Sequence, residues 1–297
     1  MEKKYEKPKD MATALDCAIR ADEMKDGGYV MNGKNVTYCN YMTNDDWKEF
    51  CNTMNPSHKK QYGNGSGGEM KEGQYPPKMA SFGSSSRLVY KWSRDIEGFS
   101  FEEKLDTRVG GTANLDGFLR KDSEYIYVEA KMREIYGDSH VNEEISEAYL
   151  PVYDKIQEEC EAFSYTQADC DKKGYKKITF KINGVPIIHF DLKQVICHFL
   201  GITYDLAKHA IKRPNVKFVY LLYNPQGIED KLDEKYKVKV LNRYTEVQKF
   251  IKTNIDQGVF NSIFQAVLNY QIDKRIKINF EMKLVVGDKE SYKEELK

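Results

Sequence analysis

The stretch Asn114–Gly137 constrains the fold of this chain more than any other, because its alternation specifies a β-hairpin with Lys121–Glu124 as the loop. In that register Asp116 lies opposite Glu129. The apolar residues then share one face and the polar residues the other. The predicted apolar face comprises Leu115, Gly117, Leu119, Ile126, Val128 and Ala130. A slip of one residue would mix the two sets, so the pattern fixes the register.

Two carboxylates face each other in this register, at Asp116 and Glu129. Opposed residues in an antiparallel pair lie about 5 Å apart at Cβ, where two charges repel by about 3 kcal/mol at an effective dielectric near 20. Lys131 projects from the same face, but one ammonium neutralises only one of the two charges. Mg²⁺ is commonly held by one or two carboxylates together with water and phosphate. The convergence of the three side chains favours a cation site over a solvated hairpin face.

The motif Asp116, twelve residues, then Glu129-Ala130-Lys131 resembles the active-site hairpin of the PD-(D/E)XK superfamily of restriction-endonuclease-like nucleases. Three further stretches extend the resemblance over residues 60 to 225, toward a group of largely uncharacterised bacterial members. These stretches are FEEKLD at Phe101–Asp106, PPKMASFGSSSRL at Pro76–Leu88 and VKFVYLLYNP at Val216–Pro225.

The resemblance implies an α/β fold with a restriction-endonuclease-like core, in which helices flank a central mixed β-sheet. We place this core at residues 76–225. Residues 1–75 form an N-terminal extension of helices and loops packed on the core. Residues 226–297 form a C-terminal extension, rich in helix, within the same globular unit.

The resemblance also assigns roles to the hairpin residues. Asp116 and Glu129 would ligate Mg²⁺, with Mn²⁺ able to substitute, and the Ala130 carbonyl would add a third oxygen. Lys131 would orient the attacking water or help to deprotonate it. Superfamily members often add an acid from an earlier element, and the FEEKL match points to Glu102 rather than its neighbour, although a surface glutamate is an equal alternative.

These roles predict a Mg²⁺-dependent endonuclease that hydrolyses the phosphodiester bonds of DNA. Because each chain carries one such site, cleavage of both strands would be easiest for a two-fold homodimer. Two alternatives stay open. One is a catalytically weak module of the same fold that binds nucleic acid or a protein partner, and the other is a structural protein with a solvated hairpin face.

Basic residues in the middle of the chain suggest a rim that contacts phosphates, although dispersed solvated charges explain them equally well. The set comprises the lysines at 172, 173, 176, 177, 208, 212 and 217, with Arg213. The glycine-rich segment GNGSGGE lacks the Gly-Lys-Ser/Thr ending of a phosphate-binding loop, so we predict an ordinary loop there.

The composition indicates a globular protein, with 31% charged residues, 40% apolar residues and a formal net charge of zero. No apolar run approaches the roughly twenty residues of a membrane span. The charged N-terminus has no apolar segment after it, so we expect a cytoplasmic protein without a membrane partner. Six cysteines without paired spacing are expected to be thiols rather than disulfides or zinc ligands.

Periodicity and turn signals predict the remaining elements. We expect helices over Met11–Met24, Thr43–Met54, Glu143–Phe163, Leu192–Leu200, Glu246–Asn254 and Asn261–Tyr270, and a further helix that begins within Ser84–Ser86. Thr43 or Asn44, a serine of Ser84–Ser86, and Asp191 are the expected caps of three of these helices. We expect strands over Phe99–Leu105 and Val216–Tyr223, and a hairpin over Lys176–Phe190 that turns at Asn183-Gly184. Pro151 either kinks the helix in which it falls or begins a second one. Segment Lys277–Val286 fits either type, and Gln194 either faces the cleft or lies on the surface.

Overall fold

The computed structural model describes residues 10–31, 37–63, 68–73, 75–137, 140–209, 211, 213–271 and 277–297. Residues 64–67 of the glycine-rich segment and Lys212 of the proposed rim lie outside these ranges. The helices are α1 (Met11–Asp22), α2 (Asn44–Thr53), α3 (Pro56–Gly63), α4 (Ser85–Ser93), α5 (Leu150–Glu159), α6 (Leu192–Lys208), α7 (Glu234–Asp256), α8 (Val259–Gln271) and α9 (Lys289–Glu295).

The strands form an α/β architecture around a mixed central sheet. They are β1 (Gly27–Val30), β2 (Thr37–Met42), β3 (Ser100–Asp106), β4 (Thr112–Lys121), β5 (Glu124–Lys131), β6 (Glu143–Ser146), β7 (Phe163–Asp169), β8 (Tyr175–Ile182), β9 (Val185–Pro186), β10 (Asn215–Tyr223) and β11 (Asn279–Gly287). The central sheet has the order β11-β10-β5-β4-β3. A smaller sheet pairs β8 with β6, β7 and β9, and β1 pairs with β2.

Strand β10 occupies the interior of the central sheet, next to β5 of the hairpin, as its apolar sequence predicts. It runs parallel to both β5 and β11. Val216 and the run from Phe218 to Leu222 are buried, because helices cover both faces of the sheet. The parallel strand β10 therefore holds the β4–β5 hairpin in the interior of the central sheet.

The C-terminal segment contributes an edge strand to the same sheet. Residues Lys277–Val286, ambiguous from sequence, contain most of β11, which is reached through α7 and α8. Its Phe280 ring stacks on Phe264 of α8 with ring centroids 3.8 Å apart. Parallel strands need such a long crossover connection, which explains why two helices precede β11.

The single helix predicted over Glu143–Phe163 is wrong. Residues Glu143–Ser146 form β6 instead, and α5 begins only at Leu150, with Pro151 in its first turn. Proline lacks the N–H that would bond back to an earlier carbonyl, so it begins a helix more readily than it continues one. Of the two roles considered for Pro151, the structure shows the second. The chain before it pairs with β8.

The predicted end of the helix Leu192–Leu200 is also wrong, because α6 continues through Gly201 to Lys208. A Cβ added at Gly201 would lie 2.7 Å from Cβ of Ala113 and 2.8 Å from Cβ of Leu105. Glycine is needed here because the helix crosses the sheet at close range. The residue marks a packing contact, whereas the sequence pattern suggested a helix terminus.

Several local predictions are confirmed. Thr43, Ser84 and Asp191 each cap a helix by accepting a hydrogen bond from a backbone N–H of its first turn. Asn183 and Gly184 turn the hairpin between β8 and β9, both with positive φ. All six cysteines are thiols. Among the described helices, none combines the length and apolarity needed to cross a bilayer.

Candidate active site

The predicted site residues line one cavity of about 370 Å³. The cavity lies where β3, β4 and β5 meet the N-terminal ends of α4 and α6. Glu102, Asp116, Glu129 and Lys131 all contribute to its lining, and so does Gln194 of α6. The sequence places these residues on four different elements, and the fold brings their side chains to the same space.

The predicted register of the β4–β5 hairpin is confirmed, with Lys121 paired to Glu124 and Gly117 paired to Val128. The ladder stops there, one pair before Asp116 and Glu129. Oδ2 of Asp116 instead accepts a hydrogen bond of 2.8 Å from the backbone N–H of Ala130. The N–H and C=O of one strand residue point to the same edge, so the Ala130 carbonyl also faces the gap beside Asp116.

The strict alternation predicted for β4 is interrupted, because Ala113 and Gly117, four residues apart, pack against different elements. Gly117 packs against Phe99, whose ring contacts Phe101 in a cluster with α3 and α4. Ala113, two residues before Leu115, packs instead against Gly201 of α6. The strand changes sides at Asp116. This break opens the sheet where the carboxylates meet.

Glu102 lies at the corresponding break in β3, between the paired residues Phe101 and Glu103. Its φ is 53°, a value that costs a non-glycine residue about 1 kcal/mol or more and that recurs at functional sites. Ser86 Oγ on α4 lies 2.9 Å from Oε1 of Glu102 and 3.4 Å from Oδ1 of Asp116. Glu103 instead accepts from Ser100. The structure therefore places Glu102 in the cavity and Glu103 outside its lining.

On the other side of the cavity, Glu129 belongs to a buried ion-pair network with α6. Nζ of Lys131 lies 2.7 Å from Oε1 of Glu129 and 2.6 Å from Oε1 of Gln194. Nε2 of His198 lies 3.0 Å from Oε2 of Glu129, with an alignment outside that of a good hydrogen bond. We call these four residues, Glu129, Lys131, Gln194 and His198, the α6 cluster.

The acids of the cavity differ in the direction in which their pKa values are shifted. Burial raises the pKa of Glu129, but the nearby Lys131 and His198 outweigh it and lower the pKa to about 2. Burial and the charges of Glu129 and Glu102 raise the pKa of Asp116 well above its usual range. Burial also raises the pKa of Glu102 to about 7. The Lys131 ammonium has its pKa raised by Glu129, despite burial.

The oxygen donors of this cavity are of the kind that a hard divalent cation takes, but Glu102, Asp116 and Glu129 do not all lie within 4.8 Å of one another as a compact set of ligands would. Asp116 is buried and Glu102 is half-buried, their charges repel, and the ammonium of Lys131 is bound to Glu129. A cation bound between the two carboxylates would offset their mutual repulsion. The available donors are carboxylate and carbonyl oxygens, which suit Mg²⁺ or Mn²⁺ better than softer metals.

His198 was not predicted as a partner of Glu129. A signal for it exists, because His198 follows Gln194 by four residues and so lies on the same face of a helix. Glu69, Lys78 and Arg133 also line the cavity and were not predicted. Arg133 is bound to Asp16, a buried residue of α1, with Nη1 and Oδ2 2.7 Å apart. Arg133 follows Lys131 by two residues, whereas no sequence spacing links Glu69 and Lys78 to the hairpin.

The proposed basic rim does not border this cavity, as judged from its described members. Lys176 pairs with Asp169 within the small sheet. Lys217 is directed to the C-terminal end of the chain, with Nζ 3.1 Å from the carbonyl of Glu295. Lys78 and Arg133 are the cations that line the cavity beside Lys131.

A second cavity, of about 390 Å³, shares Lys131 and Gln194 with the first. It contains His140, Glu143 and Asp191, whose candidate ligand atoms all lie within 4.8 Å of one another. Within the described ranges this is the one trio of possible metal ligands that meets this spacing. Glu143 also pairs with Lys193. The trio was not predicted from sequence.

Comparison with known proteins identified no relative of this chain. The chain has no significant match to any family model, to any curated protein or to any solved structure in the three searches.

Proposed function

We propose that this protein is a metal-dependent nuclease that hydrolyses the phosphodiester bonds of DNA on a restriction-endonuclease-like core. The observation that supports this most strongly is the single cavity in which Glu102, Asp116, Glu129 and Lys131 meet. Two of its acids have a raised pKa, because burial and neighbouring carboxylates outweigh the cations near them. Phosphodiester hydrolysis needs such a place, because negative charge develops on the phosphoryl oxygens.

Asp116, Glu129 and the Ala130 carbonyl would hold Mg²⁺, with Glu102 as the third acid and Mn²⁺ as a substitute. A bound cation supplies charge neutralisation and a more acidic water. Lys131 contributes a fixed positive charge beside the scissile phosphate. Its raised pKa supports this role over that of a base, because a lysine base needs a lowered pKa.

Glu102 is the residue matched to take a proton from the attacking water. Its pKa of about 7 lies near the pH at which a general base is most effective. Ser86 bridges Glu102 and Asp116 and thereby orients both carboxylates. The DNA substrate follows from the resemblance of the hairpin, and Arg133 and Lys78 provide cationic groups for neighbouring phosphates. A two-fold dimer would place two such sites on opposite strands.

The test is incubation with plasmid, linear and single-stranded DNA in Mn²⁺ and in Mg²⁺. We expect cleavage by the wild type that requires the metal and that Asp116→Asn abolishes. Glu103→Gln is the matched control, because it neutralises an acid of the neighbouring strand β3 that does not line the cavity. An Asp116→Asn protein that cleaves DNA as the wild type does would refute the assignment.

One observation favours a second candidate, a module of the same fold that binds nucleic acid without cutting it. Glu129 and Lys131 are bound to each other, so both are occupied before any substrate arrives. This candidate predicts retention of DNA on the protein in Mn²⁺ with no cleaved product. Gel-shift and cleavage measurements on the same DNA separate the two functions.

A further inference from the structure

A group of possible metal ligands that excludes the hairpin lines the second cavity, of about 390 Å³. His140 precedes β6, Glu143 is the first residue of β6, and Asp191 directly precedes α6. Their candidate ligand atoms all lie within 4.8 Å of one another, and all three side chains are partly buried. One imidazole nitrogen with carboxylate oxygens is a donor set typical of zinc and its neighbours, whereas Mg²⁺ takes oxygen alone. We call these three residues the histidine trio.

Backbone contacts hold the three members of the histidine trio in place. The N–H of His140 donates to the carbonyl of Ile188 at 2.9 Å, and Glu143 belongs to the β6–β8 ladder. Oδ1 of Asp191 caps α6 by accepting from the N–H of Gln194 at 2.8 Å. Oδ2 of Asp191 accepts no hydrogen bond from the described residues, so it is the oxygen that can bind a metal. The ligands therefore come from three segments whose positions the fold already sets.

A hydrogen bond joins two of the ligands at the place where the metal would bind. Nδ1 of His140 lies 2.5 Å from Oε1 of Glu143. Zinc bonds to nitrogen and oxygen are about 2.0–2.2 Å long, so tetrahedral coordination separates two ligand atoms by about 3.4 Å. The pair therefore needs to open by only about 1 Å for a metal to replace the shared proton. Nζ of Lys193 lies 3.1 Å from the other oxygen of Glu143 and can stay there.

A buried tyrosine gives independent evidence for a ligand in this cavity. Tyr220 of β10 is 1% exposed and lines the cavity, yet its hydroxyl has no hydrogen-bond partner among the described residues. Burial raises the pKa of this hydroxyl, and nearby charges that include Asp191 of the trio add to the shift. Buried polar groups are nearly always paired, so the hydroxyl lacks a partner that a polar ligand would provide. Three protein ligands leave a position on zinc for a water molecule, which can serve as that partner.

We propose that the histidine trio binds a divalent transition metal of the zinc class, with His140, Glu143 and Asp191 as its protein ligands. The metal would join β6 of the small sheet to the N-terminal end of α6. This inference goes beyond the proposed function and does not depend on it, because no hairpin residue is a ligand. The trio is brought together only by folding, so the bound metal stabilises the folded protein.

The experiment is equilibrium dialysis of the full chain against Zn²⁺ in an excess of Mg²⁺, which occupies sites made of oxygen alone. We expect the wild type to bind one Zn²⁺ that His140→Ala does not bind. Asp191→Asn should weaken binding at least about tenfold, the scale on which even outer-shell changes act, while asparagine still caps α6. His209→Ala is the matched control, because that imidazole pairs with the single carboxylate of Asp205. It should bind zinc as the wild type does.

Two further measurements identify the ligands and the stabilisation. Co²⁺ in place of Zn²⁺ should give visible absorption without the charge-transfer band of a thiolate ligand, and Zn²⁺ should raise the melting temperature of the wild type but not of His140→Ala. Zinc binding that is equal in the wild type, His140→Ala and Asp191→Asn would overturn the site, as would a thiolate band. Melting in a chelator shows whether each variant is folded. Asp116→Asn should keep its zinc whether or not the protein cleaves DNA, so this inference and the proposed function fail separately.

Discussion

The α6 cluster (Glu129, Lys131, Gln194 and His198) and the acids that we call the acidic wall (Glu69, Glu102 and Asp116) meet at one cavity. The pKa of Glu129 is lowered, whereas the pKa values of Glu102 and Asp116 are raised. Glu129 is surrounded by Lys131 and His198, which hold its pKa near 2. Glu102 and Asp116 face each other and Glu129, and their pKa values are raised. Carboxyl groups that line one cavity therefore have pKa values shifted in opposite directions, because their surroundings differ.

Half of the site, the α6 cluster, has a cation bound to its acid in the isolated protein, and the other half, the acidic wall, has acids that repel one another. The α6 cluster contains its own counter-charge, the Lys131 ammonium of β5, and α6 adds Gln194 and His198 from a distant part of the chain. The acidic wall has a hydroxyl at Ser86 and a backbone N–H at Ala130 as its hydrogen-bond donors, besides the Lys78 ammonium on Glu69. We infer that the first half is built for stability and position, and the second half for a ligand.

The largest effect on stability is expected for Lys131→Met, which removes the cation of the α6 cluster. It leaves Glu129 buried with His198 as its remaining side-chain neighbour, and removal of one member of a buried pair costs about 3–5 kcal/mol. Urea denaturation measures this loss. The double variant with Glu129→Gln should recover much of it. A loss below about 1 kcal/mol would mean that the pair behaves as a surface ion pair and that the contrast between the halves is not real.

Asp116→Asn should act on the acidic wall with the opposite sign in stability. Cleavage is expected to fall at least about 100-fold, the scale of losing one preorganised electrostatic group. Without divalent cations, however, the variant should be more stable than the wild type by about 1 kcal/mol or more, because a carboxylate repelled by Glu102 and Glu129 is removed. Cleavage rates and melting temperatures in a chelator measure the two effects. A less stable variant would contradict the repulsion.

The two halves should also respond oppositely to pH. Folding raises the pKa of Glu102 from 4.5 to about 7, so the stability of the cation-free protein should fall as pH rises through that window, by at most about 3 kcal/mol from this residue. Folding lowers the pKa of Glu129 from 4.5 to about 2, so its contribution is lost as pH falls through that range. Denaturation across pH measures both. Glu102→Gln or added Mg²⁺ should flatten the slope between 4.5 and 7; an unchanged slope would assign it elsewhere.

The smallest effect is expected for Gln194→Ala, which tests how far α6 contributes to the position of Lys131. Gln194 accepts one hydrogen bond from Lys131, while Glu129 keeps the ammonium in place. Loss of a single bond of this kind costs about 1 kcal/mol. We expect a small drop in melting temperature and a change in cleavage rate of less than about tenfold. A loss as large as that of Lys131→Met would show that α6 rather than Glu129 positions the lysine.

Local chemistry made much of the fold predictable. The hairpin register follows from alternation, and the caps at Thr43, Ser84 and Asp191 follow from side chains that satisfy helix N–H groups. Gly201 and Pro151 show where local rules fall short. Each residue type has more than one structural use, and the use was decided by what packs against it or pairs with the chain before it.

The sequence by itself determined which side chains meet at the hairpin, because the period of a β-strand and the position of its turn are local properties. It therefore located Asp116, Glu129 and Lys131 and favoured Glu102. Only the tertiary structure decided how the charges are balanced. The pKa of a carboxyl depends on burial and on groups within a few ångströms, and here those groups include His198 and Glu69, which come from a distant helix and a distant loop.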